Sequence, residues 1–379
     1  NSNSHYSKYY NNKIHNNTSQ GIYSNGNYDG EYYNNIIRDN NNYGIYNTNA
    51  YRAVFVNNSI IDNNYGIYTT YFQDGTFSNN VIKDNSGDGF YSSYAYRSEF
   101  IDNTVIGNSQ EGFDIYYSYS LKFTNNTVSG NSGHGLHLYR FNQAESTKSI
   151  IENNVFKDNN YGIYVYNTGS TSYSKYFEYY NNTFESNSAY GLYCYYYCYY
   201  TVVENNTFIG DDDTQYGLYL QRSLYSIIGN NTFQNDHTST DINMYYCGTG
   251  TGSNKFFNNN FTTITVTSSN CNIEVYDNLN VKTVGTDSNP FSGVELKLND
   301  TSSTFYRTQH WGGTDSVTDN DGFISSGTLL RSGSYISSST FTNNTITCSY
   351  AYGVRAKTFT FNFSGDTLKT IEVPDNFRL

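Results

Sequence analysis

Histidines and clustered acidic residues are the side chains of this chain that could do acid–base chemistry. His134 lies between two glycines, and the run 211–213 consists of three aspartates. Paired carboxylates can activate a water molecule and protonate a leaving group, provided that the fold fixes their separation. The two groups lie far apart in sequence, so the elements that position them decide whether they can act together.

Metal-binding chemistry has few candidate ligands. Asp211 and Asp213 could hold a Ca²⁺ ion at a turn, because this ion prefers carboxylate oxygens, but a solvated acidic turn explains the same residues. His134 and His137 would project to opposite faces of a strand, so we do not expect them to share a metal. The sequence predicts no catalytic residue and no cofactor, with Ca²⁺ as the alternative.

A repeat of 22 to 28 residues organises the chain from its start to about residue 275. Each unit contains an Asn-Asn pair (Asp-Asn once). An asparagine stacked in a tight turn tolerates left-handed backbone angles and can hydrogen-bond to its counterparts in neighbouring units. The second members of the pairs are Asn12, Asn35, Asn58, Asn80, Asn103, Asn126, Asn154, Asn182, Asn206, Asn231 and Asn259.

Two further columns keep the same register. A glycine precedes an apolar residue once per unit, as in Gly44-Ile45, and we expect it to serve a turn with positive φ. Large apolar residues recur two positions after and three positions before the second asparagine. Every unit therefore contributes three inward side chains, one from each of three short strands.

A unit of this length with three β stretches and no helix is typical of one coil of a parallel β-helix. About eleven coils would each rise by ~4.8 Å. The net charge of −12 and the pI of about 4.8 argue against nucleic acid and anionic membrane surfaces as partners. No apolar run is long enough to span a bilayer. The sequence therefore predicts an all-β fold.

The repeat resembles the right-handed parallel β-helix repeats of carbohydrate-binding proteins, sugar hydrolases and archaeal and bacterial surface proteins. The resemblance covers residues 1–275 and implies the fold, because the same coil serves enzymes, adhesins and inert rods. Polygalacturonase-like enzymes carry Gly-His-Gly and paired aspartates on such coils. Here His134 precedes the run 211–213 by more than three coils and in the reverse order. His134 also fills a slot that holds tyrosine or an acidic residue in other units, so those catalytic residues do not carry over.

From about Tyr276 the repeat gives way to alternating apolar and polar residues. The segments 279–282 and 294–298 are typical of half-exposed strands, with a turn between them. The signals Asn-Pro-x-x-Gly and Thr-Asp-x-x-Gly resemble carboxypeptidase-regulatory-like or transthyretin-like domains. This resemblance implies a small β-sandwich over residues 276–379, which is usually a non-catalytic spacer, cap or contact domain.

Two pairs of cysteines could form disulfides. Cys247 and Cys271 lie at similar offsets in adjacent coils, which brings a disulfide within geometric reach. Cys194 and Cys198 can bond only if the chain turns between them. Cys348 has no evident partner.

Sequons for N-glycosylation recur at one position of the repeat. Five of them begin with the first asparagine of the pair and would line one edge of the rod. These are Asn57, Asn125, Asn181, Asn205 and Asn230. Further candidates are Asn260, Asn299, Asn343 and Asn362.

Tyrosine contributes 44 of the 379 residues. A tyrosine that follows the inward apolar residue points outward, and stacked coils would align such tyrosines into an exposed aromatic ladder. The ladder could stack on sugar rings or pack against another copy, and stacking between coils also explains it. Its members are Tyr23, Tyr46, Tyr68, Tyr91, Tyr164, Tyr193 and Tyr219.

These features together predict an extracellular structural or interaction protein rather than an enzyme. The expected form is a glycosylated cell-surface, sheath or filament subunit whose partners are copies of itself and glycans, with no nucleic acid and no membrane insertion. The alternative is a carbohydrate-binding adhesin or a polysaccharide hydrolase or lyase on the same scaffold.

Overall fold

Two compact units make up the protein, and nearly all their regular structure is β-strand. The computed structural model describes residues 6–139, 147–166, 176–235, 237–247, 253–268, 271–299, 304–324, 328–336, 341–353, 355–363 and 367–374. The first unit runs to Asn254 and includes Asn259–Cys271. The second contains Lys255–Asn258 and the chain from Asn272 onward. Strand Asn272–Gly285 runs through the boundary that the sequence places at 275.

The first unit is a parallel β-helix with three sheets. We call the sheets the first, second and third side, in the order in which the chain meets them within a coil. The first side contains Lys8–Tyr10, Glu31–Tyr33, Val54–Val56, Thr76–Ser78, Glu99–Ile101, Lys122–Thr124, Ser149–Glu152, Phe177–Tyr180, Val202–Glu204 and Ile227–Gly229. The second contains Lys13–His15, Ile36–Arg38, Ser59–Ile61, Val81–Lys83, Thr104–Ile106, Thr127–Ser129, Val155–Lys157, Thr183–Glu185, Thr207–Ile209 and Thr232–Gln234. The third contains Ile22–Asn25, Tyr43–Thr48, Tyr65–Thr69, Phe90–Ser93, Phe113–Tyr116, Leu136–Tyr139, Tyr161–Tyr166, Tyr190–Tyr195, Tyr216–Gln221, Thr240–Tyr245 and Ile264–Thr267. Strand Asn254–Phe257 begins in the first unit and ends in the second.

Each coil from the second to the tenth buries one large side chain from each side. In the fourth coil these are Phe77, Ile82 and Phe90, all with 0% exposure. Phe77 pairs with Phe100 of the next coil, and Phe90 pairs with Phe113. Each such side chain contributes ~1.5–3 kcal/mol on burial. The predicted inward columns and the all-β solenoid fold are confirmed.

A ladder of buried asparagine amides runs along the coils. The Nδ2 of Asn58 donates to Oδ1 of Asn80 at 3.0 Å, and Nδ2 of Asn80 donates to Oδ1 of Asn103 at 3.1 Å. Each amide also donates to a backbone carbonyl, as Asn80 does to Phe55 O at 2.8 Å. The predicted stacking of these asparagines is confirmed.

A second buried ladder, which the sequence analysis missed, lies five residues further along each coil. Nδ2 of Asn85 donates to Oδ1 of Asn108 at 2.9 Å, and Nδ2 of Asn108 donates to Oδ1 of Asn131 at 2.9 Å. The described members are Asn17, Asn40, Asn63, Asn85, Asn108, Asn131, Asn159 and Asn187. Two parallel ladders of asparagine side-chain amides therefore hold successive coils in register.

The recurrent glycines do not serve positive φ, and that prediction is wrong. None of the nine column glycines has a positive φ. These positions have no room for a side chain, because a Cβ on Gly44 would lie 2.6 Å from Ile60 Cγ2 and 2.8 Å from Gly66 O. The close approach of the coils, rather than a turn, selects glycine here.

The left-handed residues are the first asparagines of the repeated pairs, not the second as predicted. Asn57, Asn125, Asn181, Asn205 and Asn230 have φ between 53° and 58°. All five are exposed. Left-handed geometry suits asparagine, and it turns the chain from the first side into the second.

Both cysteine pairs of the first unit are disulfide-bonded. Cys247 bonds Cys271 between adjacent coils. Cys194 bonds Cys198 because Tyr196 and Tyr197, with φ of 63° and 58°, turn the chain between them. Cys348 is free and buried.

The second unit consists of mostly antiparallel strands around its own hydrophobic cluster. Glu295–Asn299 pairs with Phe341–Tyr352, and Phe341–Tyr352 pairs with Arg355–Phe363. The buried cluster contains Leu296 and Leu298 together with Ile346. The remaining elements are Asn272–Gly285, Thr304–Arg307, Thr328–Ile336, Thr367–Val373 and the 3₁₀ helix Gln309–Trp311.

Candidate active site on the third side

The outward surface of the third side carries two columns of mostly tyrosines. One column stands one residue before the glycine and the other two residues after it. The first runs Tyr43, Tyr65, Asp88, Glu111, His134, Tyr161, Tyr190 and Tyr216. The second runs Tyr23, Tyr46, Tyr68, Tyr91, Asp114, His137, Tyr164, Tyr193 and Tyr219. Both columns change from tyrosine to acidic residues and histidines in the middle coils. We call Asp88, Glu111, Asp114, His134 and His137 the acid–base cluster.

Most neighbouring tyrosines of the second column stack face to face, and Tyr193 and Tyr219 meet edge to face. Tyr46 and Tyr68 have ring centroids 4.9 Å apart and planes 5° apart, and Tyr68 and Tyr91 are 4.7 Å apart. Both faces of Tyr46 and Tyr68 are thus covered by neighbours, since Tyr23 lies 5.5 Å from Tyr46. Only Tyr23 is exposed, at 47%, and the other ladder tyrosines are half-buried. The ladder therefore offers ring edges and hydroxyls rather than free ring faces.

Asp114 and His137 form a hydrogen-bonded pair on adjacent coils. The Nδ1–H of His137 donates to Oδ1 of Asp114 at 2.9 Å, and the side chains are only 14% and 11% exposed. Burial raises the pKa of Asp114, and the hydrogen bond from His137 opposes that rise. Fixing the proton on Nδ1 leaves the lone pair on Nε2, the arrangement of an oriented general base.

Nε2 of His137 has no hydrogen-bond partner among the described residues, although it is buried. The imidazole stacks on Tyr164, with centroids 5.2 Å and planes 9° apart. Buried polar atoms are normally satisfied, so this unpartnered nitrogen needs an explanation, and a catalytic role is one of those known for such atoms.

Asp88 and Glu111 lie next to this pair on neighbouring coils. The backbone N–H of Glu111 donates to Oδ1 of Asp88 at 3.2 Å. Burial, a hydrogen bond with the Glu111 side chain and the charge of Asp114 raise the pKa of Asp88 to about 8. Asp88 is therefore a carboxylic acid that keeps its proton near neutral pH, as a general acid must.

His134 completes the cluster. Its ring stacks on Tyr161 at 4.4 Å and lies 5.4 Å from the ring of His137. Burial and the neighbouring His137 lower the pKa of His134 to about 3, so this imidazole is neutral. The prediction that His134 and His137 project to opposite faces is wrong, because the strand begins at Leu136 and His134 precedes it.

Asp211, one of the two predicted Ca²⁺ ligands, stabilises its own turn, and Asp213 donates to it through its backbone N–H. Oδ1 of Asp211 accepts hydrogen bonds from the backbone N–H of Thr214 at 2.8 Å and of Asp213 at 3.1 Å. Burial would raise the pKa of Asp211, but these bonds outweigh it and lower the pKa. Among the described residues no group of three or more His, Cys, Asp or Glu side chains could hold a metal ion. The described part of the chain also contains no helix with the length and apolar character of a membrane span.

Sequence reasoning missed the acid–base cluster although its signal was present. Aligning the repeats places Asp88 and Glu111 in the slot of His134, which the sequence analysis treats as a variable position. The same alignment places Asp114 and His137 between Tyr91 and Tyr164. The departure from tyrosine in both columns at the same coils was the informative feature.

Solved structures with a similar fold include the A-modules of two mannuronan C-5 epimerases of Azotobacter vinelandii. The AlgE6 A-module is 16% identical with a TM-score of 0.41, and the match covers 56% of this chain and 63% of that module. The AlgE4 A-module is 17% identical with a TM-score of 0.40, and the match covers 61% of this chain and 78% of that module. This chain thus spans less than two thirds of the AlgE6 A-module.

A third similar structure is the enzymatically active domain of tailspike protein 2 from bacteriophage CBA120. It is 8% identical with a TM-score of 0.30, and the match covers 93% of this chain and 66% of that domain. The prediction that this protein is not an enzyme is contradicted by these comparisons, in which the similar solved structures are two epimerase modules and an enzymatically active domain. No curated protein sequence matches the chain significantly.

The family described as "Right handed beta helix region" matches residues 2–128, 91–176 and 120–280. These matches extend over the whole repeat and over more than half of the 379 residues. The chain belongs to the right-handed β-helix family.

Proposed function

We propose that this protein binds an extended polysaccharide along the third side and acts on it at the acid–base cluster. The observation that carries the proposal is the Asp114–His137 pair, which interrupts the tyrosine column and leaves Nε2 of His137 without a partner among the described residues. A linear polymer suits a surface that repeats once per coil, and the cluster occupies the middle of that surface.

The residues of the cluster divide into distinct roles. His137 is the general base through Nε2, and Asp114 positions it by accepting the Nδ1 proton. Asp88 is the general acid, because its shared environment with Glu111 keeps it protonated. General acid–base groups of this kind contribute about 10²–10⁴-fold to rate.

The test is a screen of neutral and acidic polysaccharides for new reducing ends, unsaturated uronates and changed uronate composition. With a polymer that the wild type modifies, His137→Gln and Asp114→Asn should each lower the rate at least about 100-fold. Asp213→Asn, an exposed turn aspartate, should retain the wild-type rate. Wild-type rates in both cluster variants, or no modification of any polymer, would overturn the proposal.

We further propose that the protein is extracellular and glycosylated at the row of exposed sequons. The second unit would be a carboxypeptidase-regulatory-like or transthyretin-like module without a catalytic role. The Asn-Pro-x-x-Gly signal of that resemblance, at residues 289–293, lies between the strands Asn272–Gly285 and Glu295–Asn299. Association with further copies stays a prediction of the sequence.

A further inference from the structure

We infer that the polymer bound on the third side is an uncharged polysaccharide and that the reaction on it is hydrolysis of a glycosidic bond. This inference rests on the proposed function and names its substrate class. It is carried by the charge and by the hydroxyl-rich character of the described surface.

The third side has carboxyl groups but no lysine or arginine in its described strands. Glu111 and Asp114 lie near the middle of this side, beside Asp88, which keeps its proton and adds no charge. The eleven strands of this side contain neither lysine nor arginine. Basic residues stand instead in strands of the other sides, as Lys83 and Lys157 do. A polyuronate carries one carboxylate on each sugar and would meet unrelieved repulsion here, about 1 kcal/mol per pair at 4 Å even in bulk water.

The described arginines just beyond the third-side strands are already paired. Arg52 donates from Nε to Asp29 at 2.7 Å, and Arg97 donates from Nε to Asp74 at 2.7 Å. Arg222 donates to the hydroxyl of Tyr197 at 2.7 Å. Arg140, which follows the sixth third-side strand in sequence, lies outside the described residues. Arg52 and Arg97 therefore offer little free positive charge to a uronate, whereas the partner of Arg222 is a neutral phenol that does not compensate its charge.

Tyrosine hydroxyls and ring edges make up most of the remaining surface. Burial raises the pKa of Tyr68, and burial with neighbouring phenols raises the pKa of Tyr190 to about 12. The phenols therefore stay protonated at neutral pH and can both donate to and accept from sugar hydroxyls. Because neighbouring rings cover the ring faces, hydrogen bonds to hydroxyls are the interaction that this surface offers repeatedly.

An uncharged sugar restricts the chemistry to hydrolysis. It lacks the carboxylate that makes the adjacent C5 hydrogen acidic enough for elimination or epimerisation. In hydrolysis Asp88 gives its proton to the glycosidic oxygen as the bond from that oxygen to C1 breaks. Nε2 of His137 takes a proton from the water whose oxygen bonds to C1. One water is consumed, a new reducing end forms, and solvent returns the proton from His137 to Asp88.

The spacing of the two groups suits this step. Asp88 and His137 lie on the fourth and sixth coils, which places them roughly 10 Å apart along the axis at ~4.8 Å per coil. Inverting glycosidases hold their two catalytic groups about 6.5–9.5 Å apart, which leaves room for a water molecule between the general base and the sugar. The axial separation of Asp88 and His137 thus lies close to the upper end of that range.

The experiment is affinity electrophoresis of the whole chain in gels that contain one polysaccharide each, with a reducing-end assay on the same polymers. The panel contains neutral polymers (starch, dextran, galactan, glucomannan and arabinoxylan) and polyuronates (alginate, polygalacturonate and hyaluronan). We expect retardation and new reducing ends with at least one neutral polymer and with no polyuronate. Action on a polyuronate alone would overturn this inference and leave the proposed function standing. Retardation and modification by none of the polymers would overturn both.

A hydroxyl-deletion series distinguishes hydrogen bonding from simple adhesion to aromatic rings. Tyr46→Phe, Tyr68→Phe and Tyr91→Phe keep the rings of the stack and remove its hydroxyls. Each lost hydroxyl contact should weaken binding of the neutral polymer about 2- to 10-fold. Tyr33→Phe removes a hydroxyl from a stacked tyrosine on the first side and should leave binding unchanged. Equal binding by all four variants would contradict the hydrogen-bonding surface.

Discussion

His237 donates its Nδ1–H to Oδ1 of Asp241 across 2.8 Å, and the two side chains are only 1% and 4% exposed. Asp241 takes the position that glycine holds in the preceding nine coils. Its other oxygen, Oδ2, accepts from the backbone N–H of Thr262 at 2.6 Å and of Thr263 at 3.0 Å. The carboxylate thereby binds the following coil. A glycine at this position would leave the N–H groups of Thr262 and Thr263 without this hydrogen-bond partner.

This carboxylate should make the end of the β-helix sensitive to acid. Burial would raise the pKa of Asp241, but the hydrogen bonds from His237 and the two threonines lower it from 3.8 to about 2. A lowered folded-state pKa gives a stabilisation that is complete above pH 3.8 and is lost as the pH falls through about 2. Asp241→Asn should therefore lower the free energy of unfolding by about 2 kcal/mol at pH 7 and by almost nothing near pH 2.

Thermal unfolding followed by circular dichroism at several pH values measures this difference. Asp213→Asn is the matched control, because that carboxylate is exposed. A pH-independent difference between wild type and Asp241→Asn would show that the ionised carboxylate is not what holds the coil.

Asp88 should show the opposite dependence on pH. Its folded-state pKa of about 8 lies above the ordinary 3.8, so the folded protein binds the proton more tightly and loses stability as the pH rises from about 4 to 8. Asp88→Asn removes this penalty and should raise the melting temperature relative to wild type, increasingly so across that range. Its polysaccharide activity should fall, because the general acid is gone, and wild-type activity should decline above pH 8. A melting temperature that falls in Asp88→Asn at pH 9 would contradict the assignment.

Removing one rung of the first asparagine ladder should be costly. Asn80→Ala leaves Phe55 O and the backbone N–H of Asn58 without the amide that they contact at 2.8 and 2.9 Å. Each buried group left unsatisfied costs ~1–3 kcal/mol, so the expected loss is about 3 kcal/mol. The control is Asn79→Gly at the neighbouring exposed position, whose φ of 56° glycine adopts freely. Equal melting temperatures for the two variants would show that the ladder adds little.

The sequon row should carry glycans when the chain is made in a glycosylating host. Asn57, Asn125, Asn181, Asn205 and Asn230 are exposed at the turn between the first and second sides, across the coil from the third side. Glycans there leave the third side open to a polymer. Peptide mass spectrometry should find modification at these positions and none at the buried second asparagines. The absence of glycan from all five in material modified at Asn343 would contradict the prediction.

The repeat made the fold predictable because each coil repeats the same physical requirement. Residues of the same apolar type take the places of Phe77, Ile82 and Phe90 in the next coil. One alignment of the units therefore identifies three sheets and their inward faces. The reasons behind individual columns were harder to predict. Gly44 is selected by clearance to the next coil, a distance between residues that no single coil contains.

The candidate site was harder to predict because each of its residues has an ordinary explanation when taken alone. His134 alone is a variant of a tyrosine position, and Asp114 alone is an outward polar residue. Only the stacking of coils places His137 within 2.9 Å of Asp114 and sets Asp88 beside Glu111. The shifted pKa values follow from that burial and crowding, and spacing along the chain does not indicate them.

The ladder continues unchanged where the repeat lengthens. Asn103 and Asn126 are 23 residues apart and Asn126 and Asn154 are 28 apart, yet their amides bond at 2.9 and 3.0 Å. In the coil from Asn126 to Asn154 the extra residues fall between the third-side strand Leu136–Tyr139 and the first-side strand Ser149–Glu152. That one corner can therefore accept foreign peptide of several residues without a change of pitch, which makes it the natural graft point for an epitope or an affinity tag on this scaffold.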